Sequence, residues 1–134
     1  MSLRLLDASV LLASEDAGDE NHDDARRLLR GAHALSTIDL AYYEVTNVAV
    51  RSWRDEAVAE RLRLRVAALA DDGGLTRVDP ALLSATVSIA AELGISVYDA
   101  AYVAAAERTG AILVSCDVRD LVSRGLAVPP AAAL

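Results

Sequence analysis

VYDAAYVAAAERTGAILVSCD, residues 97–117, decides the fold. Val97–Thr109 is rich in alanine and reads as a helix. Gly110 closes it, as glycine does at helix ends. Ala111–Ser115, AILVS, is then continuously apolar, the pattern of a parallel strand covered on both faces. A helix, a glycine stop and a doubly covered strand together form the unit from which α/β sheets are built.

The same alternation extends outward. Upstream, Asp79-Pro80 is an N-cap followed by proline at the first helical position, and that helix runs to Leu93 before Gly94. Leu75–Val78 is a strand candidate, preceded by the stop Asp71-Asp72-Gly73-Gly74. Ala57–Ala70 is helical, with Leu62, Val66 and Leu69 on one face. Asp39 caps a helix from Leu40 to about Trp53, and Ala34–Thr37 is a brief strand. Asn21 is an expected N-cap for a helix with Ala25, Leu28 and Leu29 on one side. Leu3–Leu6 is the first strand and Ala8–Ala13 a helical turn or two. Downstream, a short helix and a strand around Leu126–Val128 complete the chain. The expected architecture is a three-layer α/β domain with a mainly parallel sheet, which binds ligands beyond the carboxyl ends of its strands.

Composition narrows the chemistry. A length of 134 residues predicts one domain over 1–134, and 54% hydrophobic residues supply its core. A single cysteine, Cys116, excludes an internal disulfide framework and fits a reducing, cytoplasmic setting. The opening MSLRLLDASV has an early acid and no Ala-x-Ala-like site, so no signal peptide is expected, and no apolar run reaches membrane-spanning length. All 13 basic residues are arginine. A lysine-dependent phosphate loop or Schiff-base chemistry is therefore absent. The net charge of −7 argues against gripping nucleic acid by bulk positive charge, but not against reaching phosphate through metal ions.

Four acids occupy unusual places. Asp7 ends the first strand and Asp117 follows AILVSC, so both fall at the carboxyl edge of a parallel sheet. Asp99 shares a helical face with Tyr102, Val103 and Ala106, where a carboxylate is costly to bury uncompensated. Glu44 lies on a polar stripe with Asn47, Val48 and Arg51. Plainer readings exist: Asp7 and Asp117 also suit N-caps, Asp99 a first-turn acid, and Glu44 a solvated helix position. Carboxylates converging at one edge repel, and a divalent cation relieves that repulsion. Oxygen-only donors favour Mg²⁺ or Mn²⁺ over Zn²⁺. Such an ion acidifies water and neutralises charge on a phosphate, which suits phosphodiester hydrolysis.

These motifs resemble the PIN-domain nucleases, most closely the VapC-type toxins of bacterial toxin–antitoxin pairs. LLDASVLL resembles the family's first strand, with Asp7 as its first acid and Ser9 as the small hydroxyl beside it. YYEVTNVAVR resembles the helix bearing the family's glutamate, here Glu44. VYDAAYVAAAERTGAILVSCD resembles the segment with the third and fourth acids, Asp99 and Asp117, and Asp120 matches a frequent further aspartate. Ser115 and Asp120-Leu121 stand where threonine and Asp-Phe are common, and neither departure removes an acid.

The resemblance implies a three-layer PIN-like fold and a metal-dependent endoribonuclease. Asp7, Glu44, Asp99 and Asp117 would hold Mg²⁺ or Mn²⁺, Ser9 would orient Asp7 or a water, and Asp120 would assist. It also implies an RNA substrate, a VapB-type antitoxin and a homodimer. Two alternatives are an RNA-processing PIN nuclease without antitoxin and a catalytically silent PIN-like binding domain.

Other polar residues receive structural readings. The acid-rich stretch of Asp16, Asp19, Glu20, Asp23 and Asp24 reads as solvated surface, and His22 and His33 as surface residues. Arg51 and Arg54 read as solvated or ion-paired rather than as phosphate contacts, Cys116 as a small packed residue, and the four tyrosines as core or groove lining.

Overall fold

The computed structural model describes residues 3–134; Met1 and Ser2, the first residues of the expected domain, lie outside the described residues. Strands and helices alternate. They are β1 (Arg4–Leu6), α1 (Ala8–Ala13), α2 (His22–Arg30), β2 (Leu35–Ile38), α3 (Leu40–Arg51), α4 (Glu56–Asp71), β3 (Leu75–Thr76), α5 (Pro80–Leu93), α6 (Val97–Thr109), β4 (Ile112–Val114) and α7 (Pro130–Ala133). A π-helical turn over Val118–Val122 follows β4.

The four strands form one parallel sheet in the order β3-β2-β1-β4. The chain steps outward from β1 to β3, then returns so that β4 pairs with the free edge of β1, Arg4 opposite Ile112 and Leu6 opposite Val114. Strand order therefore reverses between β1 and β4. In open α/β sheets this is where a crevice forms.

Period-2 alternation gives each strand two buried faces. Leu5 and Leu113 join Ile38, Tyr102, Val103 and Ala106 beneath α5 and α6. Leu6 and Val114 join Val10, Leu11, Leu28, Val45, Leu62 and Val66 beneath α1 to α4. Each fully buried leucine or valine contributes about 1.5–3 kcal/mol. The result is a helix–sheet–helix sandwich, as the sequence predicts.

Local signals set most boundaries. The Asp79 side chain accepts from Leu82 N at 2.7 Å ahead of Pro80, and Gly94 and Gly110 terminate α5 and α6 in the left-handed conformation. Four expectations change, the first being that the strand expected over Leu75–Val78 shortens to Leu75–Thr76. The Asn21 side chain makes no cap bond; instead the Asp19 carboxylate accepts the Asn21 N–H at 2.8 Å. The expected last strand reduces to one bridge, Val128 beside Val114, because Pro129 and Pro130 follow and have no N–H to extend a ladder. The short helix after Asp117 is π-helical, with Ser123 N donating to Val118 O at 2.8 Å. Among the described residues no single helix is long and apolar enough to cross a membrane.

Candidate active site

Asp7 is placed by the end of β1 and the start of α1. Its N–H donates to Val114 O of β4 at 3.1 Å. Its Oδ1 accepts from Ser9 N at 3.0 Å, from Val10 N at 3.4 Å and from the Ser9 hydroxyl in a short contact. The cap reading therefore holds, and capping is what aims this carboxylate toward the cleft. Asp7 is only 6% exposed. Burial pushes its pKa up to about 6; the hydrogen bonds from Ser115, Ser9 and Val10 pull the other way, and the charge of Glu44 adds a further upward push.

A second layer of hydroxyls ties β1 to β4. Ser9 Oγ accepts Cys116 N–H at 2.9 Å and lies 3.4 Å from Ser115 Oγ. Ser115 Oγ accepts Asp117 N–H at 3.0 Å, and Asp117 Oδ1 accepts Asp120 N–H at 2.9 Å. Asp117 thus caps the π-helical turn and is held near Asp7. Cys116 sits between them with its thiol pushed up to about 11, chiefly by burial, so it stays protonated.

Glu44 and Asp99 arrive from opposite helical layers. Glu44 lies one turn into α3, and its Oε1 accepts the Tyr102 hydroxyl at 2.7 Å. Asp99 sits in the first turn of α6, where its N–H donates to the capping Ser96 Oγ at 3.0 Å. Both carboxyls are shifted upward, first by burial and then by neighbouring charge: Asp99 acts on Glu44, and Asp117 with Asp120 acts on Asp99.

Asp7, Ser9, Glu44, Asn47, Asp99, Tyr102 and Asp117 line one cleft of about 300 Å³ at the strand-order reversal. Oxygens of Asp99, Asp117 and Asp120 come within 4.8 Å of one another, close enough to share a metal ion. Asp7 and Glu44 lie outside that tight group but face the same cleft. Among the described residues no arginine pairs with Asp7, Glu44, Asp99 or Asp117; Asp120 has Arg119 at 3.7 Å. Clustered carboxylates without a fixed cation, and without sulfur or imidazole donors, are a donor set for a hard divalent ion.

The remaining residues separate from the site. Arg51 and Arg54 are exposed at the end of α3 and do not line the cleft. His22 Nδ1 contacts Ala13 O at 2.7 Å, and His33 is half-buried rather than fully at the surface. Tyr43 and Tyr98 are exposed and line a separate apolar groove of about 320 Å³ with Leu82, Leu83 and Val97. Two contributors to the cleft escape a reading of the sequence as catalytic parts: Ser115, which links the two strand ends, and Tyr102, which holds Glu44. The spacing Asp99–Tyr102 is the one local signal for the latter, since it puts the phenol one helical turn from an acid.

The PIN domain family model matches residues 4–123. Ribonuclease VapC3 of Pyrobaculum aerophilum is 33% identical over 126 residues, covering 84% of this chain and 88% of that protein. The crystal structure of PAE2754 from the same organism superposes with a TM-score of 0.69 at 26% identity, covering 98% of this chain and 91% of that one. A toxin–antitoxin complex from Klebsiella pneumoniae has the same fold, with a TM-score of 0.72 at 16% identity and coverage of 95% and 97%. A family match over that span, on a parallel sheet whose acids gather where strand order reverses, makes this chain a member of the PIN-domain family in its VapC-type branch.

Proposed function

We propose that this protein is an endoribonuclease toxin of a toxin–antitoxin pair, hydrolysing RNA phosphodiester bonds with Mg²⁺ or Mn²⁺. The observation that carries the reading is the convergence of Asp7, Glu44, Asp99 and Asp117 on one cleft in a chain related to a ribonuclease. Those four side chains would hold the ion, with Asp120 beside Asp99 and Asp117 as a further oxygen donor. When bound, the ion supplies charge neutralisation at the scissile phosphate and acidifies the attacking water.

The protein's own residues do the positioning. Ser9 fixes Asp7 through its hydroxyl and its N–H. The Ser115 hydroxyl fixes Asp117 by accepting the Asp117 backbone N–H. In-line attack by water on phosphorus breaks the bond to the 3′-oxygen, leaving a 5′-phosphate and a 3′-hydroxyl. Unpaired RNA suits an open cleft, because splayed bases leave their backbone accessible.

The acids also specify a partner. An antitoxin with an arginine in the cleft would pair bidentately with these carboxylates and compete with metal. A second copy of the chain would cover the exposed apolar residues Tyr43, Leu83, Val87, Val97 and Tyr98 on α3, α5 and α6. We place this activity in the cytoplasm, where the RNA substrate is and where one unpaired thiol is stable. The test is sequencing of RNA ends after induced expression, wild type beside Asp7→Asn, with and without the neighbouring antitoxin gene. New 5′-phosphate ends confined to wild type without antitoxin are expected. Identical end profiles in wild type and Asp7→Asn contradict the proposal.

A further inference from the structure

Tyr102 is 2% exposed, and its ring packs with Leu5, Ile38 and Leu113 in the core beneath α5 and α6. Its neighbours Val103, Ala105 and Ala106 on the same helix are apolar and buried. A phenylalanine would fill that space equally well, so packing explains the ring and not the hydroxyl. The hydroxyl crosses the carboxyl edge of the sheet and donates to Glu44 Oε1 at 2.7 Å, on the helix of the opposite layer. The hydroxyl thus joins α6 to α3, the helices that carry Asp99 and Glu44. Among the described residues no hydrogen bond engages Oε2 of Glu44, so the phenol commits one carboxylate oxygen and leaves the other to the cleft.

Resting on the nuclease reading above, we infer that Tyr102 is a positioning residue for cleavage: its hydroxyl holds Glu44 by Oε1 and leaves Oε2 to the divalent ion. A glutamate has three rotatable side-chain bonds, and one free to rotate spends much of its time facing solvent. Groups that hold a metal ligand in place typically alter metal affinity or activity by about 10- to 100-fold when removed. A purely structural tyrosine has no such effect when replaced by phenylalanine, because volume is conserved.

The experiment compares wild type, Tyr102→Phe, Tyr102→Leu, Glu44→Gln and the Tyr102→Phe/Glu44→Gln double variant. Mn²⁺ binding is read by electron paramagnetic resonance, and RNA cleavage as kcat and KM separately. Tyr102→Phe is expected to melt within a few degrees of wild type, to bind Mn²⁺ at least about fivefold more weakly, and to lose about tenfold or more in kcat with KM nearly unchanged. Tyr102→Leu should lose no more activity per folded molecule than Tyr102→Phe. On the Glu44→Gln background, Tyr102→Phe should cost less than about twofold, because both changes act through one carboxylate. Wild-type kcat and Mn²⁺ affinity in Tyr102→Phe overturn the inference, and so do fully multiplicative losses in the double variant. A wild type that binds Mn²⁺ but leaves RNA intact contradicts the nuclease reading instead, and the affinity comparison then still decides the role of Tyr102.

Discussion

Asp7 shows what a metal-free cleft costs. Its folded pKa rises from the ordinary 3.8 to about 6, chiefly through burial. Between those values the native state binds more protons than the unfolded chain, so metal-free stability falls as pH rises, and the loss is complete above about pH 6. A displacement near two units corresponds to on the order of 3 kcal/mol at neutral pH. Glu44 and Asp99, also shifted upward, add costs of the same sign. Asp7→Asn keeps a capping oxygen and removes the charge. In EDTA it should therefore melt several degrees above wild type at pH 7.5 and close to wild type at pH 4; equal melting temperatures at pH 7.5 would contradict the assigned cost. The cleft placement of Asp7 and Asp117 is legible in sequence because an acid at the end of an apolar strand falls at the carboxyl edge of a parallel sheet. Tyr102 is not, since a tyrosine among alanines reads as core and its partner lies 58 residues away.

At the scale of elements, α5 and α6 have the ends that Asp79-Pro80, Gly94 and Gly110 announce, because caps and left-handed stops act within a few residues. Strand ends are less legible. A strand exists only where a partner pairs with it, which is why β3 shrinks to Leu75–Thr76 and the last expected strand to a single bridge. The π-helical turn after Asp117 is invisible to a 3.6-residue pattern. Gly110 joins the helix of Asp99 to the strand before Asp117, at a φ of 67°. Gly110→Ala forces a side chain into that conformation at a cost of roughly 1–2 kcal/mol. The expected outcome is a melting temperature lower by several degrees with cleavage per folded molecule unchanged. Thermal melts and a cleavage assay at low temperature check both parts, and an unchanged melting temperature would contradict the argument.

For the whole molecule, alternating strands and helices disclose three layers, but strand order stays hidden in the sequence. Whether β4 joins β1 or β3 is decided by long-range packing, such as Arg4 opposite Ile112, and has no local signature. That choice creates the reversal at which the acids meet. The apolar face of α3, α5 and α6 is likewise apparent only once the helices are placed. If a second copy covers it, Leu83→Arg, at a 49% exposed position, should convert a dimer to a monomer in sedimentation; an unchanged dimer would place the interface elsewhere. A net charge of −7 opposes RNA binding by bulk electrostatics, so the proposed cleavage requires a cation in the cleft. The central claim is therefore tested most directly by incubating the purified chain with RNA across a Mn²⁺ titration, with Asp99→Asn, Asp117→Asn and Asp120→Asn in parallel, and determining the chemistry of the new ends. The account predicts 5′-phosphate and 3′-hydroxyl ends that require metal, vanish in EDTA and are lost in Asp99→Asn and Asp117→Asn, with a smaller loss in Asp120→Asn. Cyclic phosphate ends, cleavage that persists in excess EDTA, or full activity in Asp99→Asn would contradict it.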